Sequence, residues 1–175
     1  MMLITDGDFG QTVEDVLRAL GAVLDERHAQ GVVLIEVPDG LVVRARVTAT
    51  LDDRVDDDHV SMEQAFGHKE LLAQRMSALA KRGTGHRAGR LERALRVLGR
   101  YIDQHDLMEV TVMENAAGRG WLVWHRTWDE GRPVVLTFDD DEVEQAAAEA
   151  RQARAGQPAT IASGGLVPQE VAARS

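Results

Sequence analysis

Apolar residues recur at helical spacing through Val13, Val16, Leu17, Leu20, Val23 and Leu24, which predicts an amphipathic helix over about residues 12–30, with Thr12 as N-cap and Gly31 as its stop. The period then changes from helical to two. Val32–Val37 and Leu41–Leu51 alternate as strands around Val37-Pro38-Asp39-Gly40, a hairpin turn in which proline presets φ and glycine accepts a left-handed φ. The charged segment Asp52–Asp58 has too few apolar residues for a core element and predicts a solvated linker across 52–60. Ser61 and Gln64 have capping-box spacing, and Phe66, Leu72, Met76 and Leu79 continue as a helical stripe toward Arg82.

Gly83–Gly89 breaks the chain, and Leu91, Leu95, Leu98 and Ile102 predict a helix ending near Asp106. Residues 108–114, 120–128 and 133–138 read as a three-stranded meander. Asp139 caps a last helix, supported by Glu142 and by Ala146-Ala147-Ala148, up to about Ala155. Residues 157–175, rich in Gly, Pro, Ser and Ala, predict a flexible tail.

The chain also matches itself. Glu14–Glu36 aligns without a gap on Glu92–Glu114, with identities at Glu14/Glu92, Leu17/Leu95, Arg18/Arg96, Leu20/Leu98, Gly21/Gly99, Asp25/Asp103, Val32/Val110 and Glu36/Glu114. Amphipathic periodicity alone does not require the paired Gly and Asp. The predicted fold class is therefore α+β: two diverged helix-hairpin-helix units forming one antiparallel sheet covered by helices, a pseudo-two-fold internal repeat. Residues 1–83 would hold the first αββα unit and residues 84–156 the second, αβββα, unit. Small bacterial chaperone and adaptor folds with helices over an antiparallel sheet resemble this layout, in topology alone.

Composition narrows the function classes. The 175 residues contain no cysteine, which excludes disulfides, thiolate metal sites and cysteine nucleophiles. With neither a basic leader nor a long apolar run, the expected location is cytoplasmic, away from membranes. A net charge of -9 argues against general nucleic-acid binding, although Lys81, Arg82, Arg87, Arg90, Arg93, Arg96 and Arg100 form a basic run opposed only by Glu92.

Catalytic motifs are not found. There is no Gly-x-Ser-x-Gly elbow, and His28, His59, His68, His86, His105 and His125 lack paired metal-ligand spacing, so neither cofactor nor metal is expected. Asp52, Asp56, Asp58 and Glu63 mimic part of a calcium loop, but Arg54 and Asp57 occupy positions that need a ligand and a glycine. Arg93, Arg96 and Arg100 share a helix face, so Arg87, Arg90, Arg93, Arg96 and Arg100 form a candidate anion or nucleic-acid site; internal pairing with acidic runs is the plainer account. Strand alternation places Trp124, Arg126 and Trp128 on one face and Trp121 and Val123 on the other. An open face there makes a protein-binding patch, whereas a covering helix would make it core. The first expectation is a non-enzymatic protein-binding or assembly domain, adaptor or chaperone-like, with a protein partner or a second copy; the alternative is an anion or nucleic-acid accessory protein.

Overall fold

The computed structural model describes residues 12–51, 54–67, 70, 87–115, 119–127, 131–154, 166 and 169–171. Helix α1 (Val13–Glu26) leads into strands β1 (Gln30–Val37), β2 (Gly40–Leu51) and β3 (Arg54–Gly67). Helix α2 (Arg90–His105) leads into β4 (Met108–Glu114), β5 (Gly120–Arg126) and β6 (Pro133–Asp139), followed by α3 (Asp140–Arg154) and the short β7 (Gln169–Val171). The class is α+β. One antiparallel sheet runs β3-β2-β1-β4-β5-β6-β7, six long strands with a three-residue seventh at the rim.

Sequence periodicity explains which face is buried. Val32 and Leu34 of β1, Leu41 and Val43 of β2, Val110 and Val112 of β4, and Trp121 and Val123 of β5 enter one core with Leu17, Leu20, Leu95 and Leu98 of the helices. Alternate residues on the same strands face away from that core. α1 and α2 pack against each other, and each begins on a carboxylate supplied by the other. Val13 and Glu14 N–H donate to Asp103 at 3.0 and 2.9 Å, while Leu91 and Glu92 N–H donate to Asp25 at 3.0 and 2.8 Å. These bonds satisfy N–H groups that a helix start otherwise leaves without partners.

Several expectations need correction. Residues 54–67 form β3, not a solvated linker through residue 60 followed by a helix start at Ser61. Met62 and Phe66, two apart from Gln64, pair with Ala45 and Leu41 on the core side of β2, so period two governs where a helical stripe was expected. An edge position also tolerates charge that an inner strand would not. The described part of the first half therefore runs helix and three strands, with Glu70 helical after them; residues 71–82, the rest of the expected helix, lie outside the described residues.

α1 stops at Glu26, before the expected Gln30. Ala29 N–H bonds back to Leu24 O and His28 N–H to Asp25 O, with His28 at φ 50, a left-handed closure that turns the chain into β1. The C-terminal segment also departs from a plain flexible tail. Val135, Leu136 and Thr137 of β6 pair with Val171, Glu170 and Gln169, and Leu166 packs partly buried against the core.

Candidate functional site

Two regions place chemistry-bearing residues together: the sheet face away from the helices, and the ionic layer where the helices meet. On the sheet face, Val33 and Ile35 of β1, Val42 of β2, Met113 of β4, and Leu122 and Trp124 of β5 are each partly exposed. Trp124 pairs with Thr111 on one side and Val135 on the other, so its ring rises from an inner strand. Ion pairs flank this apolar strip. Arg44 Nε lies 2.7 Å from Glu63 on the β2–β3 side, and Arg126 Nε lies 3.1 Å from Glu109 on the β5–β4 side. Their side chains are more than half exposed, so these pairs add little stability and leave both signs of charge accessible.

Trp124 and Arg126 share the face that strand alternation assigns them, opposite Trp121 and Val123, which are fully buried. Trp128, the third residue of the expected patch, lies outside the described residues. His125 sits on the core side, buried, with Nδ1 3.2 Å from Arg126 O. His105 is exposed at the end of α2 and stacks on Tyr101 with ring centroids 4.0 Å apart. Among the described residues, no three His, Asp or Glu side chains gather to hold a metal ion, and no helix is long and apolar enough to cross a membrane.

The basic residues of α2 turn mostly toward carboxylates. Arg96 Nε and Arg100 Nη2 both donate to Glu14 of α1, at 2.7 and 2.8 Å; Arg93 grips Glu144 of α3 at 3.0 Å; Arg90 pairs with Glu114. Arg87 alone of the five expected anion ligands is described as exposed with no ion pair among the described residues. Arg18 of α1, which the sequence reading did not place here, pairs with buried Glu92 at 2.9 Å. Its signal lay in the self-alignment, which matches both Glu14 with Glu92 and Arg18 with Arg96. Each Glu sits four residues before its own Arg, a spacing that suggests pairing within a helix, yet the bonds run between helices.

No family model, curated protein or solved structure matches this chain. The geometry therefore carries the functional argument. Arginines committed to Glu14, Glu92, Glu114 and Glu144 do not form the solvated cationic stripe that phosphate-backbone binding uses. Through Glu14, Glu92 and Glu144 they form an ionic clamp on α1, α2 and α3, and Arg90 ties α2 to β4 through Glu114.

The clamp has a pH signature. Burial pushes the Glu14 carboxyl up, but hydrogen bonds and charge from Arg100 and Arg96 outweigh it and hold the pKa at about 2, against an ordinary 4.5. A depressed folded-state value means that the contribution is complete above the unfolded value and is lost as pH falls from 4.5 toward about 2. Glu14→Gln should cost about 1–2 kcal/mol at neutral pH, allowing for the partial exposure of the cluster. Its denaturation midpoint should also fall less steeply than that of the wild type over that acid range. Parallel acid limbs in urea titrations would remove Glu14 from the clamp.

Proposed function

We propose that this chain is a non-enzymatic protein-binding or assembly domain, adaptor or chaperone-like, and that its contact surface is the sheet face bearing Trp124 and Arg126. The observation carrying the reading is the mostly apolar face on which Val42, Ile35, Thr111 and Trp124 form one row across the strands and Val33, Met113 and Leu122 the next, which no described helix covers. Strips of this kind rimmed by polar groups are the usual form of an association site, and a tryptophan within one commonly dominates its energy. Trp128 belongs to the proposal through strand alternation alone.

The occupant proposed is the same face of a second copy. Each flank already holds one cation and one anion, Arg44 with Glu63 and Arg126 with Glu109. A copy related by a two-fold axis can then oppose Arg to Glu at both rims, without the repulsion that a net charge of -9 would otherwise impose. Trp124→Ala should keep its fold while weakening dimerisation about thirtyfold or more, as loss of an interface tryptophan does. Light scattering over a concentration series, beside a melting curve, measures both. A chain that stays monomeric throughout, dimerisation indifferent to the substitution, or a collapsed melt would each overturn the reading.

The fold itself reads as two diverged copies of a helix-and-three-strand unit related by a pseudo-two-fold axis between β1 and β4. Leu34 pairs with Val112, their aligned equivalents, while Val33 meets Met113 and Ile35 meets Thr111, the exchange that a two-fold requires. Side chains exchange in the same manner: Glu114 accepts from Val32 N–H and Glu36 from Val110 N–H, at 3.1 and 2.9 Å. Backbone irregularities recur as well. Register shifts fall between Gln30/Val33 and between Met108/Thr111, and left-handed residues stand at His28 and Asp106 and at Gly31 and Glu109. Unrelated helix-strand units have no reason to share such faults, and this supports duplication more strongly than the apolar periodicity does.

A further inference from the structure

The geometry points to a binding site for one small tetrahedral oxyanion, of the phosphate or sulfate class, in the cavity between α2 and α3. The cavity has a volume of about 50 Å³ and is lined by Arg18 of α1 and Arg93, Arg96 and Arg100 of α2, with one carboxylate, Glu92, held by Arg18, and with Ala147 and Ala150 of α3 leaving the space open. A water-sized probe sphere occupies about 10–15 Å³, so this volume suits a cluster of a few oxygens and not a nucleotide. The site is independent of the sheet face and of the self-association proposed for it.

Charge and hydrogen bonding both favour an anion there. Among the described residues, four guanidinium groups meet three carboxylates, because Arg96 and Arg100 share Glu14 whereas Arg18 and Arg93 have Glu92 and Glu144. Aligned on the first half, Arg93 stands opposite Asp15 and Arg100 opposite Ala22, so both are cations that only this half carries. Arg96 Nη2 is buried and finds no hydrogen-bond partner among the described residues, although Arg96 Nε is held by Glu14 at 2.7 Å. A buried donor without an acceptor is costly, and on a charged group more so. An oxyanion would accept from Arg96 Nη2, neutralise the extra charge, and tie α3 to the α1–α2 pair. Guanidinium groups suit this role because their planar forks donate to adjacent oxygens of one anion.

The test is calorimetric titration of the full chain with inorganic phosphate, and separately with sulfate, at ionic strength held constant with chloride, alongside thermal melts. Saturable binding of one phosphate and a midpoint that rises with phosphate but not with chloride are expected. Ala150→Leu fills the cavity without touching a charge, and Arg96→Lys keeps the charge beside Glu14 while removing Nη2. Both should bind about tenfold more weakly or worse, the loss that a missing charge-assisted hydrogen bond brings. Phenyl phosphate identifies the source: binding as tight as inorganic phosphate assigns a phosphoryl end group of a larger molecule, and exclusion assigns the free ion. No phosphate-specific binding by the wild type would overturn the site. Undiminished binding by folded Ala150→Leu would do the same, and if Ala150→Leu does not fold, undiminished binding by Arg96→Lys decides against it.

Discussion

Alanine at Gly21 or at Gly99 should each lower stability by about 2–4 kcal/mol, overpacking against atoms that cannot rotate aside. A Cβ built at Gly21 would stand 2.6 Å from Glu92 Cα and 2.7 Å from Leu91 O; one at Gly99 would stand 2.7 Å from Glu14 Cα and 2.9 Å from Val13 O. Every one of these neighbours is backbone. Relief must come from moving α1 and α2 apart, which loosens Leu17, Leu20, Leu95 and Leu98 in the core beneath them. Alanine's better helix propensity returns up to about 1 kcal/mol, so the figure is what remains after that gain. In a chain of this size each kcal/mol moves the thermal midpoint by about 2–4 °C, which makes the loss easy to read. Gly67→Ala is the control, since its nearest obstacle is Asp39 O at 3.9 Å, and it should stay within about 0.5 kcal/mol of the wild type. Wild-type urea midpoints for both helix variants would mean that the helices cross somewhere other than at the two glycines.

The legible parts of the fold were those where a local signal and the tertiary outcome agree. The meander of β4, β5 and β6 alternates apolar and polar residues on inner strands, so its bounds follow from the sequence almost residue for residue. Arg90–His105 likewise carries an uninterrupted apolar stripe closed by left-handed Asp106. β3 was hidden because its aspartates look like a linker and because Ser61 and Gln64 imitate a helix start. What makes it a strand is the twelve-residue edge of β2, a partner that no local window contains. Leu166 and Gln169–Val171 were missed for the same reason: short segments of low apolar content gain order from β6 and the core. In the functional regions, alternation assigned Trp124 and Arg126 to their shared face. The arginine face of α2 was legible too, but its partners were not, because Glu14 and Glu144 come from other helices.

Removing either of the exchanged helix caps should destabilise the fold, and the two losses should differ in a stated direction. Asp25→Ala is expected to cost about 2–3 kcal/mol and Asp103→Ala about 1–2 kcal/mol. Each carboxylate accepts two N–H groups at a helix start, where the helix dipole also favours negative charge. Their surroundings differ. Both Asp25 bonds are partly buried, with Gly89 drawn so close that a Cβ there would collide with the carboxylate, so the freed N–H groups of Leu91 and Glu92 would have poor access to water. Of the Asp103 bonds, the one from Glu14 is exposed. Asn at either position keeps one acceptor and loses the charge, and should recover about half of each loss. Urea denaturation of the four single variants and the Asp25→Ala/Asp103→Ala double variant measures this directly. Because α1 and α2 pack together, the double loss is expected to fall short of the sum: once one helix start frays, the other cap holds against a looser partner. Equal single losses would contradict the burial argument, and strict additivity would mean that the two helix starts open independently.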